Sequence, residues 1–290
     1  MAKQPKWSEY ELNYVAENYI KHGAKHCSIA LGRSVAGVSH KVERLFIKVP
    51  RRIFFKEKLQ TINSPSVTYI LGLLWADGHL SKFGDALRIM ASKEDLDEVF
   101  SHFCELGDWS NKKVKKCKQS WKDISILTCC NADVLSFFKE NDYQEKSVKA
   151  PTKILSKIPD HLKHYFWRGY FDGDGGFHLK KQKTRGAILT FSGHYNQDWF
   201  EHSSLLDSLG IRTYSTIQII SKKGHKSSCV SFCNKIDAAN FLDYIYQDKN
   251  FKSFSRKTKK FLEFTEKPIG RVLEKRKLNP STVLYNHFRG

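Results

Sequence analysis

Apolar residues recur along this 290-residue chain with changing periods, and the places where the period changes mark its elements. Near the start, Ser8 followed by Glu9 and Glu11 gives a polar cap with acids in the first turn, and Leu12, Val15, Tyr19 and Ile20 continue at helical spacing. Ala24 to Leu31, with Ile29, Ala30 and Leu31 apolar, predicts a second short helix that Gly32-Arg33-Ser34 breaks. Ser34 caps a third, running to about Phe46 with Val35, Val38, Val42 and Leu45 inward. Residues 1–50 therefore read as a three-helix module, and residues 51–64, with Arg51, Arg52, Lys56 and Lys58, as a basic linker.

Beyond the linker the chain repeats itself. Tyr69-Ile-Leu-Gly-Leu-Leu-Trp-Ala-Asp-Gly78 is echoed by Phe166-Trp-Arg-Gly-Tyr-Phe-Asp-Gly-Asp-Gly175, and the segment from Ser92 to Leu106-Gly107 by that from Ser192 to Leu209-Gly210. Each copy continues into a short apolar strand pattern, Ile124 to Leu127 and Val230 to Cys233, and an apolar helix, Ala132 to Phe138 and Ala238 to Ile245. After the second acidic segment, Phe177 and Leu179 alternate with His178 and Lys180, which predicts a strand with one apolar and one polar face. The expected fold is α+β, with αββαββα repeats at 65–160 and 161–266 and a basic tail at 267–290.

Each repeated segment places small residues four apart, Gly72 with Ala76 and Gly169 with Gly173, so each predicted helix carries one smooth stripe suited to close helix pairing. Each ends in an acid followed by glycine, Asp77-Gly78 and Asp174-Gly175, where glycine is expected as a left-handed cap. Parallel packing would bring the two carboxylates together at the negative ends of both helix dipoles, an arrangement that calls for a cation. Two hard oxygen ligands favour Mg²⁺, with Mn²⁺ as a substitute, and such ions activate water and stabilise charge on a cleaving phosphodiester.

Charge changes the picture of the partner. Lys and Arg number 49 against 30 Asp and Glu, for a net +19, and the excess is concentrated at +7 in residues 1–60 and +8 in residues 251–290. That balance favours a polyanion. No stretch is apolar enough to span a bilayer, so a soluble intracellular protein with no membrane partner is expected. Seven cysteines without a CxxC pair indicate reduced, mostly buried thiols, and the twelve histidines show no HxH or HxxxH zinc spacing.

Residues Ile70 to Gly78 and Arg168 to Gly175 resemble the two motifs of a single-chain LAGLIDADG homing endonuclease, the resemblance covering roughly residues 65–265. It implies two antiparallel sheets forming a DNA-binding saddle, and metal-dependent cleavage of both strands of a long double-stranded DNA site. Asp77 and Asp174 fall at the metal-binding motif position; the sixth position is Asp172 in one motif and Trp75 in the other, a departure expected to alter packing only. The family also places a basic residue late in each half to steady the attacking water, for which Lys146 and Lys257 are the candidates; Lys93 and His194, at roughly matching positions near the strand-to-helix turns, are weaker candidates for contacts to water or phosphate. Candidate DNA contacts in the repeats are Lys82, Arg88, Lys113, Lys115, His178, Lys180, Arg185 and Lys222.

The N-terminal segment resembles helix-turn-helix and Myb-like modules, Leu31-Gly-Arg-Ser34 marking the turn, which adds His40, Lys41, Arg44, Arg51 and Arg52 as candidate DNA contacts. With both motifs in one chain, a monomer reading an asymmetric site is expected, and intron RNA is a further partner that the family resemblance admits. The alternative readings are a non-cleaving DNA-binding regulator and an intron-RNA maturase. The paired acids favour a nuclease, because a pure binder gains nothing from acids held against phosphate.

Overall fold

The computed structural model describes residues 6–45, 54–114, 123–179 and 187–266. The chain divides into two units, residues 1–53 and 54–290, and the tail at 267–290 lies outside the described residues.

In the first unit, α1 (Glu9–Leu31) starts with a capping box in which Ser8 and Glu11 each accept the other's backbone N–H. It is hydrogen-bonded as one helix where two were expected. The element is nonetheless bent: a straight helix of this length would span roughly 33 Å. Yet Tyr14 Oη lies 3.3 Å from His26 Nε2, and Arg33, just past the helix end, pairs with Glu11 at 2.7 Å. The bend falls between Tyr14 and His26, in a stretch containing Gly23. A glycine costs a helix only about 1 kcal/mol, enough to favour a bend but not to end it. Ser34 caps α2 (Val35–Arg44) through the Gly37 N–H. Val15, Cys27, Val38 and Val42 form the small core. Val35 and Leu45, predicted inward, are exposed, as is the apolar Ile29.

The second unit opens with α3 (Glu57–Gln60) and then holds the two repeats. The first runs α4 (Pro65–Asp77), β1 (Gly78–Leu80), β2 (Leu87–Ser92), α5 (Lys93–Cys104), β3 (Ser110–Val114), β4 (Ile124–Cys129) and α6 (Ala132–Glu140). After the short helix α7 (Thr152–Leu155), the second repeats the order as α8 (Lys163–Asp174), β5 (Gly175–Leu179), β6 (Ala187–His194), α9 (Phe200–Ser208), β7 (Tyr214–Ile220), β8 (Lys226–Phe232) and α10 (Lys235–Ile245); α11 (Ser255–Glu266) follows. The sheets share one antiparallel topology, β1-β2-β4-β3 and β5-β6-β8-β7, so the expected α+β fold of two αββαββα repeats is present. Along β4 burial alternates, with Ser125, Leu127 and Cys129 packed inward, and one core joins both repeats.

The two repeats meet through α4 and α8. A methyl group added at Gly72 would overlap the Phe166 carbonyl and approach the Tyr170 N–H, and one at Gly169 would overlap the Tyr69 carbonyl and approach the Leu73 N–H. One at Gly173 would meet Ala76 and the Asp77 carboxylate. Residue numbers rise together across these pairs, so the helices run parallel, backbone against backbone. Hence α4 is buried along nearly its whole length, Ser66 through Ala76.

Gly78 and Gly175 differ from expectation. Both are extended, with φ of −76° in each case, and each begins a strand with no intervening loop. They are glycines for lack of space: a side chain at Gly78 would strike the Tyr143 hydroxyl and the Leu74 carbonyl, and one at Gly175 the ring and carbonyl of Phe171.

Gly169→Ala should therefore be among the most damaging single-methyl additions in the chain, costing about 3 kcal/mol because a carbonyl on a packed helix cannot move aside. A fall in urea midpoint at unchanged denaturant slope would show this; an unchanged midpoint would mean the helices are not in backbone contact.

Candidate active site

Because α4 and α8 run side by side and each passes directly into a strand, Asp77 and Asp174 lie together at one end of the helix interface. Among the described residues neither carboxylate has a hydrogen-bond or ion-pair partner. Burial pushes both above the usual carboxylate range, Asp174 to about 6, and the Asp77 charge raises Asp174 further while Lys146 and Lys257 draw it down.

The two lysines are placed alike. Lys146, just after a 3-10 turn at Tyr143–Glu145, puts its Nζ 2.5 Å from the carbonyls of both Trp75 and Ala76 at the end of α4. Lys257 in α11 donates to the Phe171 carbonyl and, at 2.5 Å, to that of Gly175 at the end of α8. Each ammonium thus meets carbonyls where a helix dipole is negative. Burial lowers both to about 8, and the charges of Asp77 and Asp174 oppose that fall. Two acids and two cations are therefore gathered at the ends of two helices, with the cations' donors turned to main-chain oxygen.

Each lysine segment also docks on the opposite repeat. Val148 accepts the Asp198 N–H at 3.0 Å, and Lys149 accepts Gln197 Nε2 at 3.0 Å. The Ser255 N–H donates to Glu98 at 2.8 Å, and Arg256 pairs with Asp95 at 3.0 Å. A cleft of about 440 Å³ opens at Asp174 between the repeats, lined by Lys146, Tyr170, Ser192, His194 and Gln197 among others. His194 thus reaches the cleft, whereas Lys93 is held in an ion pair with Asp97 at 3.0 Å. Tyr170, Gln197 and Arg256 were not singled out in the sequence; the acids Asp95 and Glu98 that meet the α11 segment likewise gave no local signal.

The sixth-position departure goes beyond packing. Asp172 is fully buried and accepts the Tyr69 hydroxyl at 2.6 Å and the Phe254 N–H at 3.0 Å. Trp75 instead stands edge-on to the Tyr143 ring, whose hydroxyl donates to the Leu74 carbonyl.

The sheet faces turned away from the helices differ in chemistry. On the first, Arg88 pairs with Thr128 and Lys112 with Ile126, beside His79. Lys113 is opposite buried Ser125, hence on the helix side, though exposed at the sheet edge. On the second, His178 pairs with Ile188 and Ile217 with Cys229, and among the described residues this face bears no acid, Lys or Arg. Lys82 and Lys222 lie exposed in the β1–β2 and β7–β8 turns. In the first unit His40, Lys41 and Arg44 line a separate cleft with Trp7, the Lys41 ammonium 5.9 Å from the indole. Arg51, Arg52, Lys115, Lys180 and Arg185 lie outside the described residues.

Among the described residues no three of His, Cys, Asp and Glu gather as a metal site. The unpartnered pair Asp77 and Asp174 nevertheless suits a hard divalent cation whose other ligands come from water and substrate. Of the described cysteines only Cys27 and Cys129 are buried while Cys104, Cys130 and Cys233 are exposed, against the expectation of mostly buried thiols. No helix among the described residues is long and apolar enough to cross a membrane.

Comparison with known proteins gives one family match, the LAGLIDADG-like domain, over residues 162–246. No curated protein matches the sequence. Among solved structures, I-SmaMI, described as a LAGLIDADG homing endonuclease bound to cleaved DNA, is 14% identical, with a TM-score of 0.46 over 76% of this chain and 93% of that one. I-LtrWI, described as a LAGLIDADG homing endonuclease bound to target DNA, is 12% identical, with a TM-score of 0.41 over 69% of this chain and 89% of that one. The family match spans α8 through α10, the helix bearing Asp174 together with the sheet that follows it. The second repeat is thus similar to the LAGLIDADG-like domain.

Proposed function

We propose that this protein is a site-specific DNA endonuclease that hydrolyses both strands of a long asymmetric site with a divalent metal, Mg²⁺ or Mn²⁺, held by Asp77 and Asp174. The observation that carries the reading is the pair itself: two acids without partners, brought together by helix packing and raised by burial. Such a pair is unfavourable alone and favourable around a dication. A metal bound there would supply Lewis-acid stabilisation of phosphate charge and an activated water.

The chain's own groups have separable tasks in this reading. Lys146 and Lys257, held near 8, exchange a proton within the physiological range and place positive charge beside the acids, suited to orienting water or steadying charge on a phosphate oxygen. The outward faces of the two sheets provide the DNA surface. Arg88 and Lys112 give the first a phosphate-binding character; Ile217, Ile219 and the hydroxyls of the second favour thymine methyls and base edges. Unequal halves require an asymmetric site, read by a single chain. His40, Lys41 and Arg44 of the N-terminal unit add contacts beyond that site.

Metal-dependent cutting of a discrete site should appear when a plasmid library is treated with wild type and Mg²⁺, and should be lost or reduced to nicking in Asp77→Asn and Asp174→Asn while binding persists. Tight specific binding without cutting under any divalent metal would make the protein a regulator. The pair's electrostatics give an independent test. Asp174 folds with its pKa raised from 3.8 to about 6, so the stability linked to its proton is present below pH 4 and lost as pH rises through 6. In chelator at pH 7.5, Asp174→Asn should therefore be more stable than wild type by up to about 3 kcal/mol, the gap closing toward pH 4. Mg²⁺ should stabilise wild type alone; a variant no more stable than wild type at pH 7.5 would refute the strained pair. Finally, removing residues 1–53 should shorten the DNase footprint and weaken binding without moving the cleavage point; an unchanged footprint would remove that unit from recognition.

A further inference from the structure

Lys257 does not reach its place unaided. One face of α8 carries Tyr165, Arg168 and Asp172, spaced three and then four residues apart. All three side chains grip the segment that leads into α11. The Tyr165 hydroxyl donates to the Asp248 carboxylate at 2.7 Å. Arg168 donates to the Asp248 carbonyl at 2.8 Å, the Phe251 carbonyl at 2.7 Å and the Ser253 hydroxyl at 2.9 Å, and its guanidinium lies over the Tyr246 and Phe251 rings. Asp172 accepts the Phe254 N–H at 3.0 Å. Three residues later Lys257 closes on the end of the same helix.

Burial makes this grip specific. Arg168 is 1% exposed and stands among apolar neighbours, a costly location for a cation unless its donors are met by fixed acceptors. Its two terminal nitrogens find two main-chain carbonyls and one hydroxyl, while Nε has no hydrogen-bond partner among the described residues, so the guanidinium fixes a backbone path through those terminal nitrogens. Among the described residues the first repeat has no counterpart. The matching positions on α4 are Thr68, which bonds the Ser64 carbonyl of its own helix, Leu71, which is core, and Trp75, which leans on Tyr143. Lys146 is steadied instead through the Tyr143 hydroxyl.

We propose that Arg168, supported by Asp172, is the positioning residue for Lys257, so that one of the two cleavage centres depends on a buried polar clamp that the other lacks. The proposal rests on the nuclease reading and predicts that the two strand cuts can be uncoupled by a substitution that touches neither the acids nor the lysines.

The test is strand-resolved cleavage of a labelled duplex carrying the site, comparing wild type, Arg168→Met, Arg168→Lys, the milder Ser253→Ala, and Lys257→Met to identify the dependent strand. Arg168→Met should slow that strand by about tenfold to a hundredfold and leave the other nearly unchanged, so that nicked product accumulates at unaltered DNA affinity. Ser253→Ala should give a smaller slowing of the same strand, and Arg168→Lys should restore part of the rate. Equal slowing of both strands, or of neither, would overturn the proposal. Hydrogen exchange of metal-free protein decides separately from cutting: Arg168→Met should speed exchange across 246–258 while 143–150 is unaffected, and unchanged exchange across 246–258 would sink the clamp even if the protein proves to be no nuclease.

Discussion

The organisation of the second unit depends on one steric constraint, the absence of side chains at Gly72 and Gly169. Each leaves room for a carbonyl of the other helix, and the fit is reciprocal. With any larger residue the axes would separate, and the ends of α4 and α8 with them. The acid pair is a consequence of that closeness, since Asp77 and Asp174 have no contact of their own to hold them together. Helix packing, driven by burial of the apolar flanks, carries the electrostatic penalty that a catalytic metal would relieve.

Around this pair the two halves solve the same problem by different chemistry. Both end a helix on an acid and cover its terminal carbonyls with a buried lysine. One half supports its lysine with an edge-to-face aromatic pair and a tyrosine hydroxyl, the other with a buried arginine and a buried acid. Outward, one sheet face carries cations and the other none among the described residues. Similar backbones thus present unlike surfaces.

The repeat, the glycine stripe and the acid ends were legible in the sequence because each is a short pattern with a direct steric or electrostatic meaning. What the sequence concealed was of two kinds. The reason for Gly78 and Gly175 lay in contacts with Tyr143 and Phe171 rather than in backbone dihedral angles, and such contacts exist only after folding. The pairing of Arg256 with Asp95, 161 positions apart, and the burial of Arg168 also depend on long-range closure. The N-terminal unit shows the opposite error: two apolar runs read locally as separate helices form one bent helix, whose ends the Arg33–Glu11 pair and a small core hold together.

A junction built from main-chain atoms has a further property. Carbonyls and amides are common to every helix, so the contact at Gly72 and Gly169 cannot by itself distinguish one half-molecule from another. Discrimination falls to the side chains that cross the seam, among them Tyr69 to Asp172, Asp95 to Arg256, Glu98 to the Ser255 N–H and Gln197 to the Lys149 carbonyl. A foreign half bearing the right glycine would meet little steric resistance at that junction, and its compatibility would be judged at those polar crossings.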